Sequence, residues 1–226
     1  MSAGASAGAV GEAVSGALAE AVTDHLLAEL RLGLAAQGWL QVEASGRHLH
    51  ISVDDAKALF GPDYALTWVK QLSQPGQFVG QERIALVGPN GQELTGVVVL
   101  GPERGQTQIE VSKTDALQLG VDPPCRESGK LEGTPSIRVT CGQAAIVTGG
   151  LIIAERHIHM RTDTAASLGI QDGQRVDFEL RSERPLVFLN VKVRVSGAAD
   201  NFMHIDYDEA NAAGFQRGMF GRIIKA

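Results

Sequence analysis

Two short histidine motifs carry the most evident chemistry in this 226-residue chain. His48 and His50 form one His-x-His pair, and His157 and His159 form another, each preceded by arginine and followed by an apolar side chain. In an extended strand, residues i and i+2 point to the same face, so each pair presents two imidazoles side by side. One such pair is more often a structural feature than a metal site, whereas two matching pairs favour metal binding.

An internal repeat extends each pair by one more candidate ligand. His50, Glu110, His159 and His204 are each followed by alanine six positions later and by glycine ten or eleven positions later. The repeating unit is therefore a strand that ends in a ligand-type residue, a cap, a short helix and a closing glycine. Glu110 stands where the other units carry histidine, and a carboxylate is an ordinary zinc ligand.

The repeat predicts two sets of three ligands. The sets are His48, His50 and Glu110 from the first half, and His157, His159 and His204 from the second. Three protein ligands with an open position are typical of catalytic zinc. Imidazole-rich ligation favours zinc over calcium or magnesium, while cobalt, nickel and iron stay open as alternatives. Two neighbouring metal ions could polarise a carbonyl group and hold an anion together.

Charge indicates where an anionic ligand would bind. The net charge of −6 argues against a nucleic-acid partner, so an anion must be held by local cations or by metal. Arg104 lies in a glycine-framed loop six residues before Glu110. A guanidinium beside a dicationic pocket indicates a phosphate or carboxylate ligand, although spacing alone equally allows an exposed loop arginine.

Several other classes of protein are excluded by the sequence. Cys125 and Cys141 form no C-x-x-C pattern and are typical of reduced residues in a cytosolic protein. The chain has neither the basic and apolar regions of a secretion signal nor an apolar run near the length of a membrane span. Walker and G-x-G-x-x-G loops are also absent.

The elements that must position these residues are mostly short strands separated by glycine and proline. Such spacing predicts small β-barrels with short helices between strands, not a doubly wound parallel sheet. The predicted strands are 39–44, 47–52, 82–88, 94–100, 107–111, 137–140, 146–154, 156–160, 174–181, 185–195 and 202–206.

The N-terminal region has a different pattern. Residues 1–10 are small and are predicted to be disordered, and residues 11–22 fit a short Ala-rich helix. Thr23 and Asp24 offer a cap for a second helix that Gly38 would end. The first helix is interpreted as an amphipathic tag that docks onto a partner, with a loosely packed arm as the alternative.

Longer motifs resemble the phosphate acyltransferases of bacterial microcompartments, of the propanediol-utilisation type. The resemblance spans residues 44–214. The motifs are G-R-H-L-H-I-S, L-S-Q-P-G-Q-F, V-L-G-P-E-R-G-Q-T-Q-I-E-V-S, R-E-S-G, R-H-I-H-M and M-H-I-D-Y-D-E-A-N-A.

This resemblance implies an enzyme that reversibly converts an acyl-CoA and phosphate into an acyl phosphate and CoA, with propanoyl-CoA or another short-chain acyl-CoA as substrate. It also implies a mainly β fold of two similar β-barrel domains with the active site between them. Residues 47–154 would form the first barrel, and residues 33–46 with 155–224 would form the second. Residues 1–32 would be a flexible segment with an encapsulation helix.

The resemblance also assigns roles to individual residues. Two zinc ions would bind the two sets of ligands, and Arg104 would position phosphate as the catalytic residue. Coenzyme A would contact Ser45, Gly46, Lys70 and Asn211. The chain departs from the family at Val98, where the family carries an arginine that contacts CoA phosphates.

Partners and location follow from the same resemblance. The N-terminal helix would bind shell or lumen proteins of a microcompartment in the cytoplasm, and homo-oligomerisation stays open. Nucleic acid and membrane are not expected as partners. Two other functions fit the same ligands: a dizinc hydrolase of a thioester or phosphate ester, and a non-catalytic zinc-binding shell component.

Overall fold

A computed structural model describes the chain over residues 4–225, with side chains for residues 18–19 and 21–224. The fold is mainly β, with one long helix and four short ones among these residues. The helices are α1 (Gly4–Ala35), α2 (Val53–Phe60), α3 (Lys113–Leu119), α4 (Thr162–Leu168) and α5 (Tyr207–Ala212). The strands are β1 (Trp39–Ser45), β2 (His48–Ser52), β3 (Trp68–Gln71), β4 (Phe78–Val87), β5 (Glu93–Arg104), β6 (Gln108–Glu110), β7 (Cys125–Arg126), β8 (Ile137–Cys141), β9 (Ala144–Thr148), β10 (Leu151–Ala154), β11 (His157–Met160), β12 (Arg175–Leu180), β13 (Leu186–Val195), β14 (Phe202–Asp206) and β15 (Phe220–Lys225).

The N-terminal helix α1 is continuous, so the prediction of disorder followed by two helices is wrong from residue 4 onward. Thr23 does not cap a second helix, because its hydroxyl donates a hydrogen bond to the Ala19 carbonyl at 2.8 Å. Hydroxyl side chains make this bond in the interior of helices. The predicted disorder of residues 1–3 concerns positions outside the described part of the chain. Within residues 4–225, no helix has the length and hydropathy needed to cross a membrane.

The strands form two sheets. The first is a closed barrel in the order β1-β14-β11-β13-β12-β15, with Leu40, Met160 and Phe178 buried inside it. The second is a nine-stranded half-barrel in the order β7-β10-β6-β2-β5-β4-β8-β9, with β3 paired to β4. Leu49 and Ile109 are fully buried in its core. The chain therefore has the two barrel-like units that the sequence predicted.

Each predicted strand is present, but the predicted strand 146–154 is divided into β9 and β10. Gly150 lies between them at φ +86°, and a Cβ there would collide with the Thr107 carbonyl, so only glycine fits the break. The strands β3, β7 and β15 were not predicted. All four residues of β3 are exposed, so the strand lacks the alternation on which such a prediction depends.

The predicted repeat of ligand, cap and helix is confirmed. The helices α2, α3, α4 and α5 follow the strands that carry His50, Glu110, His159 and His204. A left-handed glycine, Gly120 or Gly169, closes α3 and α4 as predicted. Each of these four ligands therefore lies on a strand that is followed by a short helix.

The caps differ between the four units. Ser112 and Asp206 form complete capping boxes at α3 and α5. At α2, Ser52 accepts a hydrogen bond from the Asp55 N–H, which is half of a capping box. Arg161 makes no side-chain cap at α4. These caps satisfy helix N–H groups that would otherwise lack partners.

Candidate active site

The first candidate triad lies on two antiparallel strands of the half-barrel. His48 on β2 pairs directly with Glu110 on β6, and His50 follows on the same face of β2. The ligand atoms of the three side chains lie within 4.8 Å of one another. His48 and His50 are only 7% and 4% exposed. The repeat-based prediction that Glu110 joins this histidine pair is therefore confirmed as a spatial grouping.

The second triad has the same construction in the closed barrel. His157 on β11 pairs directly with His204 on the antiparallel strand β14. The ligand atoms of His157, His159 and His204 also lie within 4.8 Å of one another. Nε2 of His157 is 3.0 Å from Nε2 of His159. Each half of the molecule therefore brings together one His-x-His pair and one further ligand from a neighbouring strand.

One backbone contact recurs in both triads and fixes the tautomer of a histidine. Nδ1 of His48 donates to the Gly46 carbonyl at 2.8 Å, and Nδ1 of His157 donates to the Glu155 carbonyl at 2.9 Å. A carbonyl oxygen only accepts, so the proton must be on Nδ1. When such a ring is neutral, the lone pair of its Nε2 is directed toward the other members of the triad. Metal-binding histidines are typically oriented in this way.

Two buried ring nitrogens support the ability of both triads to hold a metal ion. Nδ1 of His50 and Nε2 of His204 are buried without a hydrogen-bond partner. Nε2 of His204 does lie 3.2 Å from the Glu43 carboxylate, so the nitrogen of His50 is the more isolated of the two. A buried nitrogen without a partner is costly unless something binds it. The donor set in each triad therefore fits one divalent cation.

Electrostatics keep most of these imidazoles neutral. Burial is the main cause that lowers the pKa of His50 and His159 to about 2 and that of His157 to about 4, and neighbouring imidazoles act in the same direction. Neutral imidazole is the form that binds metal. The pKa shifts therefore favour ligation at ordinary pH.

The carboxylate of the first triad behaves differently. Burial opposes the ionisation of Glu110, but the imidazoles of His48 and His50 outweigh it and hold the pKa of Glu110 well below its usual range. Burial likewise lowers the pKa of His48, but Glu110 outweighs this effect and raises it. Nε2 of His48 is 3.5 Å from a Glu110 oxygen. A divalent cation between these atoms would compete with the proton of His48.

Gln108 holds Glu110 in place. Its side-chain nitrogen donates to Glu110 at 2.6 Å and to the Ser128 hydroxyl at 2.8 Å. Its side-chain oxygen accepts from the Gly129 N–H at 2.7 Å. Gln108 is only 1% exposed, so it is a rigid link between the carboxylate and the loop of the R-E-S-G motif.

Both triads line one cavity of about 780 Å³ between the barrel and the half-barrel. Its charged lining residues comprise four cations and two carboxylates, although the whole chain is negative. These residues are Arg47, Lys70, Arg104 and Arg194, with Glu43 and Glu110. A cavity with this balance of charge suits an anionic ligand.

Arg104 lies in this cavity as the sequence predicted. Its Nη2 donates to the Gln77 side chain at 3.4 Å, which brings the L-S-Q-P-G-Q-F motif into the site. Burial lowers the pKa of Arg104. Sequence analysis missed Arg194, because it lies near the C-terminal end of β13 without a motif around it. Only its register beside His159 in the parallel pair of β11 and β13 brings it to the cavity.

Of the four residues assigned to coenzyme A, three line the cavity and one does not. Ser45, Gly46 and Lys70 line the cavity, and so does Val98. Asn211 lies on the exposed surface of α5 and is not among the residues that line the cavity. The first three assignments therefore share a location with the triads, whereas Asn211 lies apart from it.

Comparison with known proteins identifies the family of this chain. The family model for phosphate propanoyltransferase matches residues 41–216. A phosphate propanoyltransferase of Enterococcus faecalis is 50% identical over 196 residues, which cover 86% of this chain and 92% of the relative. The relative of Thermotoga maritima is 43% identical over 203 residues, covering 89% and 96%, and that of Clostridioides difficile is 42% identical over 207 residues, covering 91% and 99%. Because the matched range contains both triads and Arg104, and the relatives match along most of their length, the chain belongs to the phosphate propanoyltransferase family.

Proposed function

We propose that this protein transfers an acyl group reversibly between coenzyme A and inorganic phosphate. The forward reaction would convert an acyl-CoA and phosphate into an acyl phosphate and CoA, with propanoyl-CoA or another short-chain acyl-CoA as substrate. The observation that carries the proposal is the single cavity that contains both triads together with Arg104 and Arg194. Family membership supports the same reaction.

We assign one zinc ion to each triad. His48, His50 and Glu110 would hold one ion, and His157, His159 and His204 would hold the other. Imidazole-rich ligation with a single carboxylate suits zinc, and three protein ligands leave a position open for substrate. When bound, the two ions supply Lewis acidity that polarises a thioester carbonyl and stabilises a thiolate.

The cationic side chains of the cavity would hold and orient phosphate. The planar guanidinium of Arg104 is suited to bind two phosphate oxygens, and Arg194 lines the same cavity. One phosphate oxygen would attack the thioester carbonyl carbon, so a C–O bond forms. The C–S bond then breaks, and its electron pair leaves with the sulfur of CoA. Holding both reactants in one cavity supplies the favourable orientation that the reaction requires.

This mechanism needs no nucleophile from the protein. Among the described residues that line the cavity there is no cysteine. Cys125 is exposed elsewhere, and burial together with nearby carboxylates raises the pKa of its thiol. A thiol with a raised pKa is a poor source of the reactive thiolate at neutral pH. Phosphate itself is therefore the proposed nucleophile.

Coenzyme A would enter along the side of the cavity that Ser45, Gly46 and Lys70 form. Lys70 supplies a cation there for the phosphates of CoA. Asn211 would contact only a part of CoA that extends beyond the cavity. Val98 supplies no charge at the position where the family has arginine, so Lys70 carries more of this role.

The decisive experiment is release of CoA from propanoyl-CoA with and without inorganic phosphate. We expect release only with phosphate, together with formation of propanoyl phosphate, and loss of both after treatment with a chelator. Release that continues at the same rate without phosphate would overturn the proposal and identify a thioester hydrolase. Metal content measured on the same protein links the activity to the triads.

We also propose that α1 binds a protein of a microcompartment and places the enzyme inside that compartment in the cytoplasm. Its apolar side chains at Leu18, Val22, Leu26 and Leu30 are between 49% and 65% exposed. Their four-residue spacing aligns them along one face of the helix. Among the side chains of α1 that the structure describes, only Ala35 is buried, in the core of the closed barrel. An exposed apolar face of this kind is suited to packing against a partner helix.

The division into domains is a proposal as well. Residues 47–154 would form one unit, residues 33–46 with 155–224 the other, and residues 1–32 the docking segment. The change of sheet between β1 and β2, and again between β10 and β11, supports these boundaries.

A further inference from the structure

Two arginines make equivalent contacts in the two halves. Arg47 immediately precedes His48, and its Nη2 lies 2.9 Å from Oδ1 of Asp115. Arg156 immediately precedes His157, and its Nη1 lies 2.6 Å from Oε1 of Glu209. The two arginines occupy the same place in the internal repeat, so the contact with a carboxylate is a shared feature of both halves.

The two partner carboxylates also have equivalent positions. Asp115 is the third residue of α3, and its other oxygen accepts from the Ser112 N–H at 3.2 Å. Glu209 is the third residue of α5, and its other oxygen accepts from the Asp206 N–H at 3.1 Å. Each carboxylate therefore uses one oxygen for the arginine and the other for the cap of its own helix.

The N-cap residues of α3 and α5 lie close in sequence to the third ligand of each triad. Ser112 comes two residues after Glu110, and Asp206 comes two residues after His204. Each arginine is therefore connected through one carboxylate to the backbone that carries the third ligand. Besides this connection, the strand of the third ligand is joined to the strand of its His-x-His pair by register pairing. That pairing comprises only three residue pairs in each half.

We propose that Arg47 and Arg156 are positioning residues, each of which fixes the third metal ligand of its own triad. The inference rests on the proposed metal-dependent function, because it concerns how well each triad binds an ion. Arg47 would act on Glu110 through Asp115, and Arg156 would act on His204 through Glu209. Neither arginine needs to touch the ion, since the effect passes through the helix cap.

Electrostatics alone predicts the opposite effect, which makes the inference testable. Removing a positive charge close to a cation site would strengthen cation binding, and it would also leave Asp115 or Glu209 without its counter-charge. Both changes favour the ion. Weaker binding of the metal ion after loss of the arginine would therefore show that the third ligand is no longer held in place.

The test measures each triad separately with Co²⁺ as a spectroscopic probe and Zn²⁺ as a competitor. The double variant His157→Ala with His159→Ala leaves only the first triad, and His48→Ala with His50→Ala leaves only the second. In the first background, Arg47→Met is expected to weaken Co²⁺ binding about tenfold, the scale of outer-shell partners of a metal site. Arg156→Met is expected to leave it unchanged there. In the second background, Arg156→Met is expected to weaken Co²⁺ binding about tenfold, and Arg47→Met is expected to leave it unchanged.

Arg161→Met is the matched control. Arg161 follows the second His-x-His pair and makes an exposed ion pair with Asp163 at 2.7 Å, but it contacts no cap of a third-ligand strand. We expect it to change Co²⁺ affinity in neither background. A comparable loss in this control would show that any nearby ion pair matters, and would overturn the inference.

The remaining outcomes are also decisive. Unchanged or tighter binding after Arg47→Met and Arg156→Met, or equal weakening of both triads by either change, overturns the positioning role. If the unmodified protein binds no divalent ion, the proposed metal-dependent function fails instead. Should an arginine variant fail to fold, Asp115→Asn or Glu209→Gln keeps an acceptor for the cap while removing the ion pair, and must produce the same selective loss.

Discussion

Nε2 of His157 lies 3.0 Å from Nε2 of His159. At this distance two ring nitrogens share either one proton or one metal ion. Nδ1 of His157 already donates to the Glu155 carbonyl, so Nε2 of this ring carries a lone pair. Burial holds the pKa of both imidazoles far below neutrality, which disfavours an imidazolium form that would supply a further proton. A neutral His159 can donate its single Nε2 proton to this lone pair, and a cation bound to both nitrogens would take the place of that proton.

The first prediction follows from this geometry and concerns metal content. We expect two ions per chain in the purified protein, one for each triad. The double variant His157→Ala with His159→Ala should retain one ion, and so should His48→Ala with His50→Ala. Elemental analysis of the purified variants measures this directly. His25→Ala is the control, since His25 lies on the exposed surface of α1 outside both triads and its loss should leave both ions bound.

The composition of the triads could be predicted from the sequence because the ligands follow a local pattern. A strand places His48 and His50 on one face. The alanine and glycine that follow Glu110 at the same spacing as in the other repeats identify Glu110 as the equivalent ligand. The structure brings these residues together as the repeat indicated. Patterns of this kind are short in sequence, so they do not depend on how distant segments pack.

The supporting residues could not be predicted in this way. Gln108 acquires its role from contacts with the loop at Ser128, and Arg194 from strand pairing with β11. Both depend on segments that are distant in sequence and have no spacing rule. The error at Thr23 has another cause. A threonine hydroxyl caps a helix or bonds back within one, and the sequence alone did not distinguish these roles.

A second prediction concerns the link between Gln108 and Glu110. Replacing Gln108 with leucine removes three hydrogen bonds and leaves the Gly129 N–H and one Glu110 oxygen without these partners. We expect metal affinity of the first triad to fall about tenfold or more and the free energy of unfolding to fall by about 1–3 kcal/mol. Metal titration and urea denaturation measure the two effects. Gln118→Leu, on the exposed face of α3, should change neither, and a normal metal affinity in Gln108→Leu would contradict the link.

A third prediction concerns phosphate recognition by Arg104. Lysine keeps the charge but lacks the planar fork that binds two phosphate oxygens. We expect Arg104→Lys to lower kcat/KM for phosphate about 100-fold, the scale of losing an aligned donor in an active site, with little change in KM for acyl-CoA. Steady-state kinetics with each substrate varied in turn separates the two effects. Arg138→Lys, at an exposed position of β8, is the control, and an equal loss toward both substrates would argue against a phosphate-specific role.

A fourth prediction concerns the exposed apolar face of α1. Changing Leu26 and Leu30 to glutamate places two charges on that face without entering a core, because these side chains are 62% and 59% exposed. We expect unchanged turnover and thermal stability but loss of co-purification with microcompartments. Arg31→Gln, also exposed on α1, should leave co-purification intact. Retention of the Leu26→Glu, Leu30→Glu enzyme in the compartment would exclude this face as the docking surface.

The last prediction is that the metal-free protein loses stability as pH falls from about 6.5 to about 4. In the folded protein the pKa of His157 is about 4 and that of His159 is about 2, whereas an imidazole in the unfolded chain titrates near 6.5. Between these values the unfolded chain binds more protons than the folded chain, so acidification favours unfolding. Above about pH 6.5 the imidazole is unprotonated in both the folded and the unfolded chain, so stability does not depend on pH through this group. Below it, each imidazole removes about 1 kcal/mol of stability per pH unit.

Urea denaturation of chelator-treated protein at a series of pH values measures this slope. His157→Gln together with His159→Gln removes two of the imidazoles whose pKa is lowered, while His50, with a pKa of about 2, keeps its own contribution. We therefore expect the double variant to show a smaller loss of stability between about pH 6.5 and pH 4, but not a flat profile. His25→Gln should reproduce the slope of the unmodified protein, because it leaves these buried rings intact. A double variant with the original slope would show that other groups govern the acid sensitivity, and that the second triad does not bury neutral imidazoles ready to bind an ion.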